Sequence, residues 1–524
     1  MSGAMDNRRA RVDFVSRFAT VVEERLHEEN PTIDQQLRGL VRTGAIRYWL
    51  LNFLDIVVAR WELCEQMTES ERLAIVMNES TSRLANPLMR MTDLLAASQS
   101  TVWTNSFCKS VLQYWEENGH VSLAVSVADD HPTPTQPMWE AIPQTSGRMF
   151  ISRTYLGRIP ELVLSLMCGT LPSRWREPSF NESIDWRFRE TISLNQTGFA
   201  PGTIEHFVFA ILPYHLPQSL VENLEEVIEW ARHRTRKTPS VIFTANLHVG
   251  SDSFLIWASQ QRKHGARLLL SQHGGLNGQG VLPTRGEEFE QAFADRYLHW
   301  GWSNQPEALK IPAQLTIWKK RRRSSECKKS LLLITDCTFR YSRRPWASIS
   351  DDQEYRKMLI GAYNVIPEGI RNVTTVRLHH DHDNYDESHE KMWRAHHPDV
   401  QLDSGLEPIE PLRRAARLVV CTTLGTSEIM QFSQSIPTVL RLHPEIHAVR
   451  HSCQALFKSM NDVGVVHYSD ESFRSFLKQN WDDIDRWWKS MEVQAAVGTY
   501  LFRFGSQSER PLRHLREVLL SVTQ

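Results

Sequence analysis

The stretch "LLLSQHGGLNGQG" (residues 268–280) decides how this chain is read. An apolar run ends in Gln272-His273, two adjacent glycines follow, and Gly278 and Gly280 come soon after. A strand that only had to stop needs one turn residue. A polar pair followed by glycines instead lets backbone N–H groups approach something that a Cβ would exclude. Upstream, "SVIFTAN" (240–246) reads as a strand, 252–264 as a helix and "ARLLLSQ" (266–272) as the next strand. Strand–helix–strand at this pitch is a βαβ unit of a parallel sheet, and ligands of such sheets sit beyond the carboxyl ends of the strands. The glycine-bearing loop occupies that position.

A second series of the same kind lies downstream. "SLLLITD", "VTTVRLHH", "VQLD", "RLVVCTT" and "IPTVLRL" read as strands, separated by helices over 351–365, 387–396, "IEPLRRAA" and "TSEIMQFSQ". Residues 448–461 and 470–490 are helical by the same reading. The expected organisation is a helical N-terminal region (1–120) on the acceptor side and a first Rossmann-like domain (121–310). A linker (311–329), a second Rossmann-like domain (330–500) and a C-terminal helix (501–524) that packs back on the first follow. "HVSLAVSV" (120–127) reads as a strand, and 303–329 as a break in the pattern carrying a basic run at 319–323.

Composition narrows the classes. With 60 Lys and Arg against 61 Asp and Glu, no global field recruits nucleic acid. Seven scattered cysteines with no CxxC argue against a disulfide framework or structural zinc and for a reducing compartment. No stretch reaches about 18 apolar residues, and the first residues lack the apolar core of a secretion signal. The expectation is a cytoplasmic protein, with peripheral inner-membrane contact through the Trp-rich N-terminal helices or the basic run.

Four strand ends carry polar, small-residue loops: "NLHVGSD", "QHGGLNGQG", "HHDHDNYDE" and "TTLGTSE". In the last, Thr423, Thr426, Ser427 and Glu428 open a helix. They either cap it or supply hydroxyls and N–H groups to a phosphate, with Glu428 accepting a ribose hydroxyl. Both GxxxxGK[ST] and GxGxxG are missing, which excludes a P-loop and disfavours a dinucleotide site, so a nucleotide-sugar site fits better. "VRLHHDHD" invites a metal reading, but no HxxxH or HExxH pairing occurs; Arg377, His379 or His380 neutralising a leaving phosphate is the preferred reading, with no metal. In the first half, Gly274 and Gly275 are read as ligand-approach positions, and His273 and Gln272 as catalytic. Asp252, at a helix start, is the best-placed acid to act as base or nucleophile towards an interdomain cleft. Glu287, Glu288 and Asp295 are further candidates.

"SQHGGLNGQG", "ADRYLHWGW", "VRLHHD", "TTLGTSEIMQFSQSIPTVL" and "DRWW" occur in that order over roughly residues 240–500. This resembles a family of bacterial surface-carbohydrate transferases marked by a QHGG loop and a WGW segment. In plan it is similar to capsule and lipopolysaccharide transferases that use CMP-activated Kdo and related nonulosonic acids. The resemblance implies a GT-B-like α/β fold, two Rossmann-like domains facing a cleft, with the second binding the nucleotide. It also implies a glycan or glycolipid acceptor and no essential metal or other cofactor. It matches Asp252 to the family's acid, His379 to the histidine of a His-Pro pair whose proline is here His380, and Thr423, Thr426 and Ser427 to a phosphate-binding segment. A literal His443-Pro444 follows the next strand. UDP-sugar transfer, CDP-glycerol-type transfer, a non-catalytic assembly scaffold and a metal hydrolase are the alternatives.

Overall fold

A computed structural model describes residues 3–28, 45–77, 93–94, 97–98, 100–117, 148–179, 184–191, 198–235, 237–284, 286–317, 329–337, 351–380 and 388–523. Two parallel sheets organise it. The first runs β1 (Met149–Ile151), β2 (Val241–Thr244), β3 (Arg267–Ser271), β4 (Arg296–His299) and β5 (Leu309–Lys310), side by side in chain order. Its strands are short apolar runs because both faces are covered. Phe150, Ile242, Leu268, Leu270 and Tyr297 point to one buried cluster, whereas Met149, Ile151, Val241, Phe243, Leu269 and Leu298 point to another. That is the period-2 alternation of a strand buried on two sides.

The second sheet contains β6 (Ser330–Ile334), β7 (Thr374–Arg377), β8 (Gln401–Asp403), β9 (Ala416–Cys421), β10 (Thr438–Arg441) and β11 (Val466–His467), in the order β11-β10-β9-β6-β7-β8. The chain steps from β6 to β7 to β8 on one side, then returns to lay β9 on the other side of β6. The carboxyl ends of β6 and β9 therefore border the point where strand order reverses, the place where open α/β sheets leave a crevice.

One apolar cluster serves both sheets. It joins Leu269, Leu298 and Trp300 of the first to Leu332, Val419 and Leu440 of the second through Phe457, Tyr500, Phe504 and Leu515 on C-terminal helices. The helix Met491–Phe504 passes back to the first domain, where Gly301 lies against the Arg503 carbonyl, Ser506 donates to the Trp300 carbonyl at 2.6 Å and Lys310 to the Phe502 carbonyl at 3.2 Å. The last helix, Pro511–Ser521, reaches the helix Arg158–Met167, with Arg516 donating to the Met167 carbonyl at 2.8 Å.

The N-terminal helices Gly3–Glu28, Ala45–Gln66 and Thr101–Glu116 pack with Ile204–His215 into a separate apolar cluster that also takes Leu255, Ile256 and Phe289 of the first α/β domain. Polar contacts tie them to one another and to their surroundings: Arg11 with Asp55 at 2.7 Å, Arg47 with Glu23 at 2.9 Å, and Arg60 with the Ser98 carbonyl at 2.6 Å. Among the described residues no helix is long and apolar enough to cross a membrane.

Some expectations need amendment. Within 303–329, read as a break in the pattern, Leu309–Lys310 is the fifth strand of the first sheet. Met149–Ile151 and Val466–His467 are strands that sequence periodicity did not announce, since three and two residues hold too little alternation to read. "HVSLAVSV" and the basic run 319–323 lie outside the described residues.

Candidate functional site

The two domains meet carboxyl end to carboxyl end. A Cβ on Gly275 would overlap the Gly425 carbonyl group, so the loop after β3 and the loop after β9 approach backbone to backbone. Around this contact, Gln279 donates to the Gly275 carbonyl at 2.5 Å, and the Tyr500 hydroxyl lies 2.9 Å from Gln279 Oε1 and 2.8 Å from Glu428 Oε1. Glu428 also accepts from the Gly425 N–H at 2.7 Å. Burial pushes the Glu428 carboxyl above the usual carboxylate range, against the pull of those donors, and pushes the Tyr500 hydroxyl well up. A second seam runs beside it. Gly280 bridges Val449, Val281 donates to the Ala448 carbonyl at 3.0 Å, and Arg450 both donates to the Gly280 carbonyl at 2.7 Å and pairs with Glu287.

These contacts reassign several candidates. Gln272 donates to the Gly274 carbonyl at 2.7 Å and accepts from the Trp300 N–H at 2.9 Å. Both ends of its amide brace the glycine loop on the WGW segment. Glu428 braces the facing loop and is fully buried, so it does not present itself to a ribose. Glu287 serves the interdomain ion pair. Asp295 pairs with Arg262 at 2.9 Å and accepts from the Leu268 N–H at 2.7 Å.

Asp252 is enclosed. It starts the helix Asp252–Lys263 as expected, but it has no exposed surface and accepts hydrogen bonds from the Ser219 hydroxyl and the Ser253 N–H. Ser219 comes from the turn Gln218–Leu220, which closes over the helix start. The carboxylate therefore faces that turn.

His273 lies differently. Its side chain is 16% exposed, and its Nδ1 is 3.7 Å from Oε1 of Glu290. The same Glu290 oxygen is 3.0 Å from His248 Nε2, and both partners are buried. His248 follows β2, Glu290 ends a π-helical turn (Gly286–Glu290), and the Tyr155 ring, from the loop after β1, is 5.8 Å from the His273 ring. Arg153 and Tyr155 both adopt left-handed backbone (φ 50° and 64°), a conformation that non-glycine residues seldom take. Thr154 between them is held at N–H and hydroxyl by Glu161, at 2.8 and 2.7 Å. Three strand-end loops and one helical turn thus converge on His273. The glycine beside it, Gly274, has open space where its Cβ would stand; packing does not require glycine there.

On the opposite side, Thr423, Gly425, Thr426 and Ser427 are partly exposed, and Thr426 precedes the helix Ser427–Ser433 without using its hydroxyl as a cap. Thr422 is buried, bonded to the Tyr355 hydroxyl at 2.7 Å, and Tyr355 accepts from the Asp336 N–H at 2.9 Å. This chain of contacts ties the end of β9 to the end of β6 at the reversal point. Arg377 bonds Asp403 at 2.5 Å and the carbonyls of Gly405 and Glu407 at 2.9 and 2.6 Å, so it props the loop after β8. His379 packs on His380 with ring centroids 4.1 Å apart and meets Cys337 Sγ at 3.2 Å. Asp336, Cys337 and His379 each bring one ligand atom within 4.8 Å of the others. Thiolate, imidazole and carboxylate are a donor set for Zn²⁺ more than for Mg²⁺. Asp381 and Asp383 lie outside the described residues. His443 Nδ1 accepts from the Glu445 N–H at 3.3 Å and sits at the end of β10.

A profile of the LIC12162 family of transferases matches residues 44–519. The chain belongs to that family. Among curated proteins none matches in sequence. Solved structures with a similar course include MurG of Acinetobacter baumannii (10% identity, 71% of this chain and 98% of that one, TM-score 0.37). An O-GlcNAc transferase mutant of Thermobaculum terrenum (11%, 97% of each chain, 0.37) and the spinosyn rhamnosyltransferase SpnG complexed with thymidine diphosphate (13%, 57% and 78%, 0.32) are two others. The α/β plan itself, two parallel sheets with their carboxyl ends opposed, is the GT-B-like arrangement anticipated from the sequence.

Two outcomes follow for the transferase. Gly275→Ala forces the two loops apart and lowers stability by about 1–3 kcal/mol, while Gly274→Ala leaves the unfolding midpoint unchanged; denaturant titration separates them. Because the Glu428 carboxyl is raised in the fold, its contribution is present at acid pH and is lost as pH climbs from the ordinary carboxylate value through the raised one. Glu428→Gln keeps an acceptor for Gly425 and Tyr500. The stability difference between variant and wild type, followed by thermal melts from pH 4 upward, should shift in the variant's favour as pH rises.

Proposed function

We propose that this transferase moves a glycosyl group from a nucleotide-activated donor, a CMP-linked Kdo or related nonulosonic acid, to a surface-polysaccharide or lipid-linked acceptor. The observation that carries the reading is the Gly275–Gly425 contact. It brings the loop that carries His273, two residues before one glycine, against the loop that carries Thr426 and Ser427, just after the other. The second domain supplies the donor site at the end of β9, where half-exposed hydroxyls and the loop N–H groups meet the leaving phosphate. The first domain supplies the acceptor side, with open space over Gly274 for the sugar. As the glycosidic bond to phosphate breaks, negative charge grows on the phosphate beside those donors, and the acceptor oxygen bonds the anomeric carbon from the His273 side. With Asp252 buried, direct displacement with inversion is the favoured course.

We propose further that the step needs no essential metal, the phosphate being met by protein donors, and that the enzyme works on the cytoplasmic face of the inner membrane, where nucleotide-linked donors and lipid-linked acceptors meet. Turnover that survives EDTA supports the first point; a strict requirement for added Zn²⁺ or Mn²⁺ overturns it and directs attention to Asp336, Cys337 and His379. The donor is tested by thermal shift with CMP, CDP and UDP. CMP is expected to stabilise the protein, by about 2.7 kcal/mol at a hundredfold excess over its dissociation constant. Stabilisation by UDP or CDP but not CMP overturns the CMP assignment, and no response to any of the three overturns the nucleotide reading.

A further inference from the structure

Glu290 is buried in the first domain, where it meets two histidines. It lies at the end of a π-helical turn, whose extra residue per turn re-aims side chains and recurs at functional sites. Gly286, which starts the turn, has Asn277 and Tyr297 where a Cβ would stand, so the turn is seated tightly against the loop after β3 and the end of β4. One oxygen of Glu290 faces both His248 Nε2 (3.0 Å) and His273 Nδ1 (3.7 Å). His248 has no exposed surface, and its Nδ1 has no hydrogen-bond partner. The neutral tautomer protonated at Nε2 suits this arrangement, donating to Glu290 and leaving a bare lone pair in place of an unpaired N–H. His248 thereby anchors the carboxylate, and the carboxylate reaches the inner edge of the one imidazole of the pair that meets the cleft.

We infer that His273 is the proton acceptor of the transfer step and that Glu290, held by His248, is its positioning residue. The inference rests on the transferase reading above and assigns to its acceptor side a group that the sequence motif does not contain. Glu290 Oε1, 3.7 Å from Nδ1 here, comes within hydrogen-bond reach by a small shift on substrate binding and then holds the His273 proton on Nδ1, leaving Nε2 as the basic nitrogen. The acceptor hydroxyl gives its proton to Nε2 as its oxygen bonds the anomeric carbon. The bond from that carbon to the phosphate oxygen breaks, and its electron pair leaves with the nucleotide. The imidazolium that results carries a positive charge next to the Glu290 carboxylate, then returns its proton to solvent when products leave. Among the described residues Glu290, His248 and Tyr155 face the imidazole, and of these Glu290 is the carboxylate.

The test uses the full-length protein. Removing the carboxylate in Glu290→Gln should move the His273 titration to lower pH by about one unit relative to wild type, read by NMR of the histidine-labelled protein with the His273 signal assigned from His273→Gln. The acid limb of kcat should move the same way, with kcat reduced by about 10²-fold or more and KM little changed; His248→Gln, which can still donate to Glu290, should show a smaller loss of the same kind. An unchanged His273 titration in a folded Glu290→Gln protein overturns the positioning role. Near-wild-type turnover by His273→Gln overturns the proton acceptor while leaving donor binding, measured by CMP thermal shift on the same variant, as the separate reading of the function.

Discussion

Two backbones in van der Waals contact govern this molecule. The loop after β3 and the loop after β9 touch at Gly275 and Gly425 with no room for a side chain on Gly275, and the rest of the cleft is built around that approach. Each glycine loop is clamped from its own side. Gln272 ties one to Trp300; Glu428 ties the other to its own helix start; Gln279 and Tyr500 join the two. The clamps are buried polar groups bonded to one another, an arrangement costly to break because each orphaned partner would stay desolvated. Arg450 with Glu287 and the Gly280–Val449 bridge repeat the same logic a few residues away. The consequence is a preset distance between the two sets of strand ends, which a two-domain group transfer needs if donor and acceptor are to meet without reorganisation.

The shared apolar cluster explains how that distance is kept. Tyr500, Phe504 and Leu515 arrive from helices at the end of the chain and fill the space between the sheets, so the C-terminal segment is part of the interface. Tyr500 has two functions at once: its ring packs with Phe432, Phe457 and Phe504, and its hydroxyl reaches the glycine clamp. Packing and polar registration are coupled through one side chain.

Much of the fold was legible because buried parallel strands announce themselves. "VIFT", "LLLS", "LLLI" and "LVVC" are apolar runs bounded by polar loops, and the helices between them carry their own period. The opposition of the 272–280 and 422–428 segments could also be anticipated from their place after strands. Individual roles were harder to read. A polar residue beside a glycine loop looks the same in sequence whether it faces a ligand or braces the loop, and Gln272, Arg377 and Glu428 turn out to brace. Asp252 looked available because the turn that covers it, around Ser219, lies 33 positions earlier. Glu290 was hidden in "GEEFE", where an acidic helix start explains itself by the dipole; only the π turn and the distant His248 bring it under His273.

The central claim is that the Gly275–Gly425 contact frames one donor site shared by both domains. A crystal structure with a bound nucleotide tests it most directly. The account predicts the phosphate against Thr426 and Ser427 at the end of β9, the sugar-bearing side over Gly274, and the His273 imidazole facing the reacting carbon. A nucleotide seated on either sheet away from this contact, with His273 pointing into unoccupied solvent, would contradict it.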